Sequence, residues 1–149
     1  VKLAAGIVLF LLCGLAGEQK SRRLSRRVHV LFALKSLIRQ ISDRQLCGLV
    51  SFREAARGCP ASPEKELLLT LAAGQTAGPA PLSPEEAGRI RAYARRDSLS
   101  AADLERERDA LLALLEGAEA AARQELQQKG QVYRSVGYLS GMALLLLVA

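Results

Sequence analysis

Apolar, charge-free sequence occupies both ends of this chain, and charged sequence occupies everything between them. LAAGIVLFLLCGLAG, from Leu3 to Gly17, and SVGYLSGMALLLLVA, from Ser135 to Ala149, hold no charged side chain. Fifteen helical residues span only about 22 Å, against a hydrocarbon layer of about 30 Å. Each run therefore needs its flanks: Val1 and a snorkelling Lys2 at one end, Val132, Tyr133 and Arg134 at the other. Burial as core helices of a soluble protein is the competing reading, and Leu-rich, uncharged runs at both termini are uncommon there. The pattern predicts two transmembrane helices, 1–17 and 135–149, around a central domain of residues 18–134.

The central domain patterns as helices. No Pro or Gly falls between Arg22 and Leu46, and Leu24, Val28, Leu31, Ile38 and Ile41 recur at helical spacing, widened by Val30, Leu34 and Leu37. This amphipathic helix continues the first apolar leg and stops at Gly48. Ser51-Phe52-Arg53-Glu54 is a capping box for a short helix that Gly58 and Pro60 end. Ser62-Pro63 opens another, carrying Leu67, Leu68, Leu69 and Leu71 and closed by Gly74. QTAGPAPL, with Gly78, Pro79 and Pro81, reads as a linker. Ser83-Pro84-Glu85-Glu86 then starts a helix that runs to about Arg96, with Glu85 and Arg89 spaced to pair.

Ser100 and Asp103 cap the last helix, which meets no Pro before the terminus. Leu104, Leu111, Ala118 and Val132 share one heptad track with Leu115 and Ala122 beside it. Glu119–Arg123 and Glu125–Lys129 are spaced to pair on other faces. Unbroken, this helix would exceed 60 Å by rise per residue alone (roughly 1.5 Å each), with Gly117 and Gly130 as places to bend. The expected fold is all-α: an antiparallel cytosolic bundle of about five helices between N- and C-terminal transmembrane helices.

Charge sets the orientation. Lys20, Arg22, Arg23, Arg26 and Arg27 follow the first apolar run, with Glu18 the one acid nearby, and Lys129 and Arg134 precede the second. Positive flanks stay on the cytoplasmic side, so the central domain is expected in the cytoplasm and both termini across the membrane. Residues 1–60 hold 11 basic and 3 acidic side chains, whereas residues 61–149 hold 10 and 12. Anionic lipid headgroups account for such a basic edge beside a span. Nucleic acid is not an expected partner, because no aromatic residues interleave with the basic ones to stack on bases. A cleaved signal peptide competes, since Gly14-Leu15-Ala16 roughly fits a cleavage site, but dense positive charge just beyond it opposes export. A lipoprotein anchor at Cys13 is disfavoured by the bulk of Leu12. Met142 is the single methionine, so Val1 is either a start read from a GTG codon or a trimmed end.

Composition supports helices and removes most chemistry. The chain has 149 residues, is 50% hydrophobic and only 4% aromatic, and has no Trp, a balance that suits helices better than a β-sandwich. Cys13, Cys47 and Cys59 lack CxxC spacing and have one imidazole, His29, to join them, so no metal site is expected. Cys47 and Cys59 read as small apolar residues in a reducing compartment. No phosphate-binding loop is present. His29 has only Glu18 and Asp43 as near acids in sequence, too remote to mark a general base. Asp103, Glu105, Glu107 and Asp109 alternate with Arg106 and Arg108, the pattern of a solvated helical face. No catalytic residue and no cofactor are expected. Gly137 and Gly141, in Gly-Tyr-Leu-Ser-Gly, form a small-xxx-small face for close helix approach, with Gly6, Gly14 and Gly17 as facing glycines of the first leg.

This layout resembles the stage III sporulation protein AB family of endospore-forming bacteria. The resemblance rests on KGQVYRSVGYLSGMALLLLVA at the C-terminus, on the short apolar leg followed by RRLSRRVHVLFALKSLIRQI, and on CGLVSFREA with Gly48, Phe52 and Glu54-Ala55 in order. It covers both ends, about two-thirds of the chain. A Pro near Ser51, a tryptophan-containing middle and a glycine before the last helix are missing. The resemblance implies a mother-cell membrane protein facing the forespore, part of a secretion-like channel between the two cells. Its cytosolic domain would be similar to the inner-membrane platform protein of type II secretion systems. Its partners would be other sporulation channel proteins, including a secretion-type ATPase. A generic membrane-tethered scaffold or signalling module is the alternative.

Overall fold

The computed structural model describes residues 2–76, 78, 81–96 and 100–148, with side chains from Ala4 to Leu147. Val1, the Lys2 side chain and Pro79, which figure in the expectations above, lie outside the described residues. Among those described, all regular secondary structure is helical: α1 (Lys2–Gly48), α2 (Phe52–Arg57), α3 (Pro63–Ala72), α4 (Pro84–Arg95), α5 (Ala101–Glu125), a π-helical turn (Leu126–Gly130) and α6 (Gln131–Val148). The chain divides into two compact units, residues 29–120 and residues 1–28 with 121–149.

The helix starts follow local chemistry. Ser51, Ser62, Ser83 and Ser100 each accept a hydrogen bond from the backbone N–H three residues on, satisfying an amide that the first turn leaves free. Only Ser83 completes the reciprocal box, through the Glu86 carboxylate and the Ser83 N–H (3.1 Å). The box expected at Ser51 forms in half, because only the Ser51 hydroxyl bond is made there. The ends are less local. α3 closes on Gly74, whose φ of +80° a side chain would strain. α1 does end at Gly48, but the left-handed position falls one residue later, on Leu49 (φ +51°). The Leu49 N–H there bonds the Gln45 carbonyl (2.9 Å), a helix stop that normally selects glycine.

Residues 29–120 build their core on α1. Leu31, Leu34, Ile38 and Ile41 are wholly buried, as the apolar stripe predicts. Phe52 from α2, Leu68 and Leu71 from α3, Ile90 from α4 and Leu115 from α5 are buried as well. Helices α2, α3 and α4 pack on one another. Polar tethers join their ends: Lys65 Nζ donates to the carbonyls of Cys59 (2.9 Å) and Arg57 (3.3 Å), and Arg91 donates to that of Gln75 (3.2 Å). One ion pair lies deep in this unit, Lys35 Nζ to Glu119 Oε2 at 2.7 Å. The Glu85–Arg89 pair expected on α4 is not among the ion pairs of the described residues; both side chains stay in solvent, where such a pair is weakly held.

Tyr93 gives this core a pH dependence. Its ring meets Phe52 edge-on (5.9 Å, 86°), and its hydroxyl donates to Gln45 Oε1 (3.5 Å). Burial pushes the phenol above the ordinary tyrosine value of 10.0, while Ser42 and Arg108 work the other way. A raised folded value favours the neutral phenol, so its contribution is complete below pH 10 and is lost as pH rises through the folded value. Denaturation curves of the wild type should lose stability above pH 10 faster than those of Tyr93→Phe. Parallel alkaline losses in the two proteins would contradict this reading of Tyr93.

Candidate functional site

Residues 1–28 and 121–149 form an antiparallel helix pair. Reading up α1 and down α6, Phe10 lies beside Gly141, Gly14 beside Tyr138, Gly17 beside Tyr133 and Gly137, and Ser21 beside Gly130. Glycine sets the approach. A methyl group built on Gly17 would stand 2.5 Å from the Tyr133 carbonyl oxygen, and one on Gly137 would stand 2.9 Å from that of Cys13. Removing the side chain on each helix lets the two backbones touch, the close approach that small residues permit. Phe10 and Tyr138 face each other across the pair with rings 6.0 Å apart. The small-xxx-small residues Gly137 and Gly141 are buried at this contact, and Gly6 is buried as well.

The opposite faces of both legs are apolar and uncovered. On α1, Val8, Leu11 and Leu12 are more than half exposed and Leu15 is 61% exposed; on α6, Leu139 is 63% and Leu146 73% exposed. The helix Ala4–Gly48 is long and apolar enough to cross a membrane, and its most hydrophobic window is only 17% buried. A soluble core helix would be mostly covered.

Above these faces sits the basic group singled out from sequence. Lys20 lies over the Tyr133 ring (5.2 Å to its centre), a cation on an aromatic face. Arg22 bonds Glu18 at 2.9 Å with 76% of its side chain exposed. Arg23, Arg26 and Arg134 are exposed, and Arg27 is half-buried. All six cations belong to the same unit as the glycine contact. Lys129 bonds Glu125 (3.1 Å), and that carboxylate holds its ammonium above the usual lysine range.

The last helix departs from the sequence reading in one respect. It is interrupted by the π-helical turn Leu126–Gly130, which ends on one of the two glycines marked as possible bends. A π-turn inserts an extra residue into the helical repeat and so rotates everything beyond it. On the heptad track Leu111 is buried and Leu104 and Ala118 are half-buried, with Leu115 and Ala122 buried beside it, but Val132, on the same track past the turn, is 54% exposed. Gly130, Gly137 and Gly141 take the inner face instead. Their seven- and four-residue spacing was the available signal, and nothing local marks Ser21 as their counterpart on α1.

The remaining candidates stay dispersed. His29 and Cys47 are exposed, Cys13 is half-buried, and the buried Cys59 thiol donates to the Ala55 carbonyl (3.6 Å). Glu107 pairs with Arg96, and Asp109 with Arg108 (3.1 Å), which also reaches Asp43 (3.7 Å). Among the described residues no three His, Cys, Asp or Glu side chains gather as a metal set. No family model matches the chain, and neither a curated protein nor a solved structure matches it.

Proposed function

We propose that the glycine-packed helix pair is a two-legged membrane stem and that the chain is a non-enzymatic assembly platform. The observation that carries this reading is the bare apolar face of each leg beneath a collar of Lys20, Arg22, Arg23, Arg26, Arg27 and Arg134. An aqueous surface of that kind would be an aggregation hazard, and a lipid surface removes the hazard. Cations at the ends of both apolar runs hold residues 18–134 in the cytoplasm, where the helical unit of residues 29–120 docks partners. On the resemblance to the stage III sporulation protein AB family, the membrane is the mother cell's, facing the forespore. The docked partners are then other channel proteins and a secretion-type ATPase.

Two experiments test separate parts of this reading. In intact cells, Gly78→Cys and the exposed native Cys47 should escape a membrane-impermeant thiol reagent and react after lysis. Labelling before lysis, or recovery of the intact chain in detergent-free extract, overturns the stem. Deleting the gene in a spore-forming host should block late forespore gene activation. Unimpaired sporulation with an intact stem would leave a generic membrane-tethered scaffold as the function.

A further inference from the structure

The collar contains a groove that a repulsive topology signal does not need. It is a solvent-open depression of about 470 Å³, lined by Ser21, Arg22 and Ser25 of α1 and by Leu126, Gly130, Gln131 and Arg134 of the π-turn and α6. That volume lies within the range of small-ligand sites. Its donors converge from both helices: two guanidinium groups, two hydroxyls and an amide. Arg22 uses one nitrogen on Glu18 and keeps its remaining donors, and Arg134 belongs to no ion pair among the described residues. Arginine forks match the paired oxygens of a phosphate.

A second depression adjoins the first through Arg22. Leu12, Leu15, Ala16, Glu18 and Gln19 line it with Arg22, all on one face of α1. Leu12 lies ten residues before Arg22, about 15 Å along the helix. Apolar side chains thus lead up, past the Glu18 carboxylate that Arg22 holds, to the two arginines, which is the order of chemistry along a phospholipid.

Resting on the membrane-stem reading, we infer that this groove binds the phosphate of an anionic phospholipid, with Arg22 and Arg134 clamping it and an acyl chain lying against Leu12 and Leu15. Bound lipid ties the two legs together at the π-turn, on the cytoplasmic side of their glycine contact.

The test uses the full chain in non-ionic detergent, titrated with phosphatidylglycerol, phosphatidylcholine or inorganic phosphate while helix melting is followed. Phosphatidylglycerol should raise the midpoint, and Arg22→Gln or Arg134→Gln should each weaken its apparent affinity about tenfold, as loss of a charged hydrogen bond does. Arg134→Lys should recover only part of the loss, since the fork is gone. Arg23→Gln removes the same charge outside the groove and should leave the titration unchanged. Equal losses for Arg23→Gln and Arg22→Gln would overturn the groove in favour of a diffuse field, with the membrane stem untouched. An equal shift from inorganic phosphate at the same concentration would overturn the lipid as ligand. Equal shifts from phosphatidylcholine would overturn the role of the anion.

Discussion

Gly17→Val should cost the full chain about 2–3 kcal/mol in a detergent-based unfolding titration, within the range for overpacking a tight interior. Gly17→Ala should already be unfavourable. The magnitude follows from two opposed effects. Replacing a helical glycine by alanine gains up to about 1 kcal/mol, since the unfolded chain loses freedom. Against that, the new methyl meets the Tyr133 carbonyl oxygen at 2.5 Å, and a backbone atom in a helix has no rotamer by which to leave. The legs must part by roughly 1 Å, and a gap of that size forfeits a quarter to a half of each dispersion contact along the seam. Gly88→Ala and Gly117→Ala are the controls, because a methyl at either meets nothing within 4 Å. They should raise stability by about 0.5–1 kcal/mol. A Gly17→Ala protein that gains stability as the controls do would show that the legs do not touch at this residue.

The sign difference between glycines 17 and 117 shows where sequence reading reaches its limit. Both are glycines within helices, and nothing nearby in sequence distinguishes an open one from one pressed on a carbonyl. Helix starts were legible because a serine three residues before an available N–H is a local arrangement, sharpest where Pro63 and Pro84 pre-set the first turn. The apolar stripe of α1 was legible because burial repeats at the period of the helix. The exposure of Val132 was not, since the π-turn before it shifts register without a proline or a charge to mark the shift. The groove of Ser21, Arg22, Gln131 and Arg134 was half legible: its cations stood out as topology signals, but their convergence depends on two segments more than one hundred residues apart. The pairing of Lys35 with Glu119 was hidden for the same reason. Glu119 is spaced to pair with Arg123 along its own helix, and nothing in that spacing points to the Lys35 ammonium on α1, which its carboxylate reaches.

Removing Glu119 from the Lys35–Glu119 pair should cost about 3–5 kcal/mol, far above the ~0.2–1 kcal/mol of an exposed pair. The side chains keep only 13% and 6% of their exposure, at 2.7 Å separation. Lys35→Met leaves Glu119 with the further interaction it makes, whereas Glu119→Leu strands a largely buried ammonium beside the Phe32 ring, 5.8 Å from Nζ. Glu119→Leu therefore carries the desolvation of an ion without its counter-charge, and Lys35→Met should cost less. The double variant Lys35→Met/Glu119→Leu removes both ions and fills the space with apolar atoms, so most of the loss should be recovered, leaving a coupling of several kcal/mol between the two sites. Denaturant unfolding of the four proteins measures that coupling directly. Additive losses would mean that each ion finds water when its partner is removed, and the pair would then have no part in holding α1 and α5 in register within residues 29–120.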